Sequence, residues 1–490
     1  MAAFAFGLFF GAAPAMSIAD ARSAEAAIEP SVAIVAAQID AGQFSAGRAA
    51  IDQALAAAHP SGEFRAALEF QRERMRRILL DFTLSEAQLK TKLREQIPDL
   101  TDAEFAAWKA AGLFETQVID GRVLYFHLAA SNLFRLSEQA RLRRKVQTPF
   151  HDSPLQVTNP HHREVRDAAV AQHRASVAPR RVRVTQSLTV HADAVPAGKT
   201  IRAWVPYPRA IAGQQEDLRF VSSEPAAHTL APESALQRTV FVEKAAKAGQ
   251  PTKFSVTYEL TVYAQYHAID ADKVVPAPLT PELAPFVAER PPHIVFSEDM
   301  QLFSRQIVGD EKNPWRIAQK LYAAVDQIPW AGAREYSTIT NIADYALHAG
   351  HADCGEQTLL LMTLLRLNGI PARWQSGMIY SDGDYNNLHD WGSLYIAPYG
   401  WLPMDVTFGR LNDADPAIAN FYLGALDAYR IAFNDDYGHE FVPPKKFFRS
   451  EPVDLQRGEA EWDGGNLYFD QWEYDFTWQM LPVHAARAGK

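Results

Sequence analysis

The period of the hydrophobic positions changes along this 490-residue chain, and the changes divide it. Residues 25–145 carry apolar residues at helical spacing, so they are predicted to be mostly helical. Two helix starts are marked by "SEAQ" at Ser85–Gln88 and "TDAE" at Thr101–Glu104. Both fit the capping box, in which side chains satisfy free N–H groups of the first turn. Between helices, "FETQVIDGRVLYFH" alternates, and Asp120-Gly121 supplies the positive-φ turn of a hairpin. Residues 146–180 are rich in Pro, His and Arg, show little period, and read as a linker. His161-His162, within it, is expected to be solvated surface rather than a ligand.

Between residues 181 and 270 the period falls to two. "RVRVTQSLTV", "TIRAWVPYP", "DLRFVSS", "RTVFVEK" and "KFSVTYELTVYAQY" alternate and are separated by turns containing Gly, Pro or Asp, the pattern of a small antiparallel sandwich. A proline-dense stretch, 271–296, marks the next boundary. Residues 297–410 read as helical to about 328 and end in strands. The last segment, 411–490, is rich in aromatic residues and too apolar to stay loose, so it is expected to pack on the segment before it.

One helix within 297–410 carries chemistry. "CGEQTLLLMTLLRLNGIP" is apolar nearly all round, so it must be buried, and it stops at Asn368-Gly369 with Pro371 beyond. Asp353 is the natural N-cap, which puts Cys354, the chain's single cysteine, in the first turn. Unpaired N–H groups and the helix dipole there favour the thiolate, the form that attacks carbonyls. Downstream, "NLHDWGSLYIAPYGWLPMDVTFG" reads as two strands joined at "APYG". His389 and Asp405 are sixteen residues apart, centred on Ala397. In an antiparallel hairpin with a three- or five-residue loop they stand opposite each other, and other loops leave them a diagonal step apart. Asp405 can then hold the imidazole while His389 faces the thiol.

A cysteine at the head of a buried helix closing in "LNGIPARW", then "HDW" on one strand and "YGWLPMD" on the next, resembles the transglutaminase-like superfamily over about Trp330–Gly409. The resemblance implies an α+β fold: a papain-like core in which the cysteine helix packs on an antiparallel sheet bearing His and Asp. Here that core, 297–410, is preceded by the sandwich and the helical N-terminal region. It also implies a thiol enzyme with Cys354 as nucleophile, His389 as general base and acid, and Asp405 as orienting group. Such a site makes a thioester from an amide. Water then gives a protease, amidase or deamidase, and an amine gives a transglutaminase. Gly355 stands where the animal crosslinking enzymes have Trp. Trp330, Tyr336, Asn341, Trp374 and Trp391 are candidates for substrate binding or for the second oxyanion donor. The alternative function is a non-catalytic peptide- or glycan-binding protein on the same fold.

No cofactor is expected. His351, Cys354 and His389 with Asp353 or Asp390 could be gathered at a zinc ion, but H-x-x-C without a matching second pair argues against a metal. "SDGDYNN", Ser381–Asn387, lacks EF-hand spacing and reads as a turn. A net charge of −10 argues against general nucleic-acid binding, and the densest basic run, "RERMRR", reads as a solvated helix face. The expected partner is a peptide, a protein or an amide of the cell envelope. The opening "MAAFAFGLFFGAAPAMSIADARSA" resembles a signal peptide over 1–24, with small residues at Ala19 and Ala21. Export to the periplasm or beyond is therefore expected, a cytoplasmic protein with an Ala-rich leader being the alternative. No other segment has eighteen uninterrupted apolar residues, so no membrane span is expected in the mature chain.

Overall fold

The computed structural model describes residues 32–56 and 62–483, so the leader expected over 1–24 lies outside the described residues. Among those described, no helix is long and apolar enough to cross a membrane. The chain divides into two compact units, Met1–Leu80 with Thr116–Leu124, and Asp81–Glu115 with Tyr125–Lys490.

The first unit holds the helix Phe44–Ala56, the helix Gly62–Asp81 up to Leu80, and the hairpin turn at Asp120-Gly121. Asp120 and Gly121 both have positive φ, 46° and 80°, as a two-residue turn matched to strand twist requires. The Asp120 carboxylate accepts from the Ser45 N–H at 3.0 Å and from its hydroxyl at 2.7 Å, which ties the turn to the first helix. "RERMRR" is not wholly a solvated face. Arg74 and Arg77 are buried and paired with Asp40 and Glu73, because this long helix has neighbours on more than one side.

In the second unit, both capping boxes form as the sequence indicates, Ser85 with Gln88 and Thr101 with Glu104. The stretch read as a linker contains a helix, Pro160–Gln172, started by Asn159 and Pro160. His161 and His162 are buried on it instead of solvated. His161 Nε2 accepts the Ala428 N–H at 3.2 Å, and His162 Nε2 lies 3.0 Å from the Tyr422 hydroxyl. Helical spacing was masked there because histidine and arginine fill positions that face protein.

The alternating segments form two five-stranded sheets. Ser176–Val190 and Thr252–Tyr266 pair at the centre of one, with Gln215–Glu224 alongside; Thr200–Pro206 pairs with Thr239–Ala245 in the other. Their inward positions, among them Val182, Val184, Ile201, Val242, Phe254 and Val256, are buried in one cluster. The tail does more than pack on the core. Glu459–Trp462 pairs with Thr200–Pro206, and Trp472–Leu481 pairs with Ser176–Val190 along its length, so the C-terminus completes both sandwich sheets. Strands more than 250 residues away along the chain supply the backbone partners that Thr200–Pro206 and Ser176–Val190 would otherwise lack.

The core is the α+β arrangement the sequence suggests. The helix Cys354–Leu367 packs on a four-stranded antiparallel sheet ordered Gly400–Met404, Asn386–Ile396, Ala372–Tyr380, Arg430–Asn434. Every residue from Gly355 to Arg366 is buried, as an apolar helix covered on all sides must be. The core and the sandwich share one hydrophobic cluster and are joined by polar ties. Gln214 bonds Gln375 at 3.0 Å, and Gln215 donates to the Ala432 carbonyl at 2.8 Å.

Candidate thiol active site

The cysteine helix starts as its sequence dictates. Asp353 is the N-cap and forms a full capping box with Glu356, so Cys354 is the first helical residue. Gly355 follows for a steric reason. A Cβ there would lie 2.1 Å from the Tyr336 hydroxyl and 2.8 Å from Asp390 Oδ2. Only glycine lets those two groups close on the helix start, which accounts for the absence of a larger residue after the cysteine.

His389 and Asp405 come together, though not directly across the hairpin. The register pairs Ile396 with Gly400 and Gly392 with Met404, so the loop is Ala397–Tyr399 and the centre is Pro398. Continued to the strand ends, that register sets Asp405 across from Trp391, a diagonal step from His389. The side chains span it: His389 Nε2 lies 2.7 Å from Asp405 Oδ2. Asp405 Oδ1 accepts the N–H groups of Thr407 and Phe408, both at 3.1 Å. Its Oδ2 also accepts Arg430 Nη1 at 2.8 Å, and Arg430 Nη2 reaches Asp427 at 2.5 Å. Burial alone would raise the Asp405 carboxyl, but His389 and Arg430 together hold it below the usual range. An ionised Asp405 accepts the Nε2–H, which leaves the lone pair of a neutral imidazole on Nδ1. Arg430 itself is roofed by aromatic rings, 5.1 Å from the centroids of both Trp391 and Phe408.

The thiol has a different partner. Cys354 Sγ donates to Asp390 Oδ2 at 3.2 Å, and no hydrogen bond joins it to His389. His389 and Asp390 are successive residues of the strand Asn386–Ile396. The thiolate expected from the helix start does not prevail here. Burial pushes the thiol well above its usual range, and the carboxylates of Asp390 and Asp353 push it further. Burial first, and the neighbouring carboxyls after it, outweigh the half-charge of a helix end.

Among the other candidates, Tyr336 joins the site. Its hydroxyl donates to Asp353 Oδ1 at 2.7 Å and lies 3.4 Å from Asp390 Oδ2. Trp391 is fully buried beside His389 at 6.0 Å between centroids, its Nε1 donating to Gln375 at 3.0 Å. Trp374 is buried and bonds Ser376, Asn341 caps the helix Ile342–His348, and the Trp330 ring lies under the Arg135 guanidinium at 4.3 Å. These three do not meet the thiol.

Three contributors escaped sequence reasoning. Arg430 lies on the far strand of the sheet, and "DAYRI" offered no signal beyond a charge between apolar neighbours. Asp390 was weighed only as a metal ligand. Gln456 comes from the tail, and its Nε2 donates to Asp390 Oδ1 at 2.8 Å and to the His389 carbonyl at 2.9 Å. Among the described residues no group of His, Cys, Asp and Glu is arranged to hold a metal.

Comparison with known proteins bears on this geometry. Residues 301–406 match the Transglutaminase-like superfamily. The uncharacterized protein YebA of Bacillus subtilis is 33% identical over 76 residues, covering 12% of this chain, and the chain spans only 10% of that relative's length. Among solved structures, a provisionally assigned cysteine protease from Cytophaga hutchinsonii aligns with 64% of this chain and 94% of its own, at 14% identity and a TM-score of 0.41. The periplasmic domain of TgpA from Pseudomonas aeruginosa aligns with 50% of this chain and 91% of its own, at 15% identity and a TM-score of 0.25.

Proposed function

From a core that is transglutaminase-like over residues 301–406, we propose that this chain is a thiol enzyme acting at amide bonds, with Cys354 as nucleophile, His389 as general base and acid, and Asp405 as orienting group. The observation that carries the reading is the buried His389–Asp405 bond at 2.7 Å, which commits Nε2 and leaves Nδ1 to work.

The steps follow from the groups present. The Cys354 S–H proton passes to His389 Nδ1, and the sulfur bonds the substrate carbonyl carbon as its C=O becomes an oxyanion. The Cys354 N–H, free at the first helical position, stabilises that oxygen. Collapse breaks the C–N bond, and the Nδ1 proton leaves with the amine. Water, deprotonated by His389, then releases the acid from the thioester; a primary amine in its place would give a new amide. Asp405, held by Arg430 and two backbone N–H groups, keeps the ring in one tautomer through both halves. Tyr336 donates to Asp353 and is therefore committed elsewhere than to the oxyanion. Hydrolysis is the reading favoured, since water outcompetes an amine unless a dry channel delivers the amine.

The test is turnover of a peptide-amide library, with and without a fluorescent primary amine, read by mass spectrometry. Wild type should give acid products, and Cys354→Ser and His389→Ala should each lose on the order of a thousandfold or more in rate. Turnover that survives Cys354→Ser would remove the proposal. A chain that captures peptide or glycan equally well with or without its thiol, and never turns it over, would instead be the binding protein of the alternative reading.

A further inference from the structure

The cysteine end of the site is crowded by carboxyls that the proposed triad does not use. Asp390 Oδ2 accepts the Cys354 thiol at 3.2 Å, while its Oδ1 accepts the Gln456 amide at 2.8 Å. Because the same amide nitrogen also bonds the His389 carbonyl at 2.9 Å, it fixes Asp390 relative to the strand that carries both residues. Asp454, two residues before Gln456, is buried with Oδ2 lacking a hydrogen-bond partner, and its carboxyl and that of Asp390 act on each other. Glycine at 355 clears the space this arrangement needs.

We propose that Asp390 is a fourth working group of the thiol site: it accepts the Cys354 S–H and holds the sulfur as a neutral thiol turned away from His389, and Gln456, reaching in from the C-terminal segment, positions it. The proposal rests on Cys354 being the nucleophile and adds a resting state to that reading. Attack then requires the sulfur to leave Asp390 and turn toward Nδ1, so the protein stores its nucleophile in a form that oxidants and stray electrophiles meet only slowly. The tail that completes the sandwich sheets also delivers Gln456 and Asp454, which ties this resting state to a correctly folded C-terminus.

Other titratable groups around the sulfur act in the same direction or are neutral. Asp353 on the cysteine helix adds negative charge, and the Tyr336 and Tyr385 hydroxyls are raised above their usual range by burial and stay protonated. Glu356 is held protonated by burial and by Asp353. Behind Asp454 stand Arg449 and Arg457, which favour its charge, and Glu451, itself raised by burial.

With one cysteine in the chain, both readouts belong to it alone. The first is the S–H stretching band of the wild-type protein followed by infrared from pH 6 to 10. The band should persist at pH 8.5, where an ordinary thiol is half ionised, and its half-loss by pH 7 would overturn the proposal. The second is the pH profile of iodoacetamide labelling in wild type, Asp390→Asn and Gln456→Met. Asp390→Asn keeps the shape and removes the charge. Its labelling midpoint should fall by at least one pH unit, and its rate at pH 7.5 should rise about threefold or more, since a thiolate of lower pKa is more abundant but less nucleophilic. Gln456→Met should shift the S–H band, because Asp390 loses its anchor. Profiles and bands that overlay those of wild type would overturn the proposal. Neither readout needs turnover. A labelling shift without any activity defeats the enzymatic reading alone, whereas activity lost in Cys354→Ser with no labelling shift in Asp390→Asn defeats the role of Asp390 alone.

Discussion

Around Asp405 the buried charges alternate in sign. Asp405, Arg430 and Asp427 follow one another at 2.8 and 2.5 Å, His389 bonds Asp405 at 2.7 Å, and Asp427 is held down to about 2, against its burial, by Arg430. Around Cys354 they do not alternate. Asp353, Glu356, Asp390 and Asp454, from three separate segments, act on one another around the thiol, and Arg449 and Arg457 favour charge only at Asp454, the outermost of them. Burial raises every one, and Asp353 reaches about 6. One half of the site therefore keeps fixed charges with defined donors, and the other half spreads its negative charge over carboxyls that burial pushes up. A base needs the first environment, since its tautomer must not wander. A stored thiol is served by the second, since surrounding carboxyls resist one more negative charge.

The largest test of this contrast removes the cation from the balanced half. Arg430→Met leaves Asp405 and Asp427 buried without their shared cation, and should cost about 3–5 kcal/mol of stability in urea unfolding near pH 7. A loss under 1 kcal/mol would mean the two carboxylates do not depend on it.

The next test removes a proton site from the unbalanced half. Glu356 is fully buried, and its folded-state pKa lies well above the unfolded value, first through burial and then through Asp353. A raised carboxyl contributes stability that is fully present below the unfolded value, near 4.3, and lost as pH rises through the folded one. Asp405 has the opposite sign: its contribution is present above the unfolded value and lost as pH falls. Glu356→Gln keeps a side chain able to complete the capping box while removing the titration. It should match wild type at pH 4 and exceed it by on the order of 2 kcal/mol at pH 8. Equal stability at both values would show that Glu356 is ionised in the fold.

The smallest effect concerns the link between the halves. The Thr407 hydroxyl donates to Gln357 at 2.6 Å, while the Thr407 N–H holds Asp405. Thr407→Val breaks the first and keeps the second. The expected loss is about 1 kcal/mol in stability, measured by urea unfolding, with the labelling profile of Cys354 unchanged.

Much of this was legible in the order of residues because it depends on neighbours in the chain. The capping boxes, the Asp120-Gly121 turn and the start of the cysteine helix at Asp353 all involve partners within four residues. The His389–Asp405 pair was legible for the same reason, the intervening hairpin being short. The misplaced centre of that hairpin altered the register by two residues on one strand, and long side chains absorbed the error.

The sequence by itself determined the local elements, the position of the single thiol in the first turn of a buried helix, and the imidazole–carboxylate pair, since each follows from spacing that a helix or hairpin converts into distance. The tertiary structure decided the charges. Arg430 reaches Asp405 from the far strand of the sheet, Gln456 and Asp454 reach Asp390 from the tail, and the burial that raises the thiol is the combined work of segments up to 100 residues away. Electrostatic state depends on which groups and how much water surround a site in space. No pattern along the chain records that before the chain is folded.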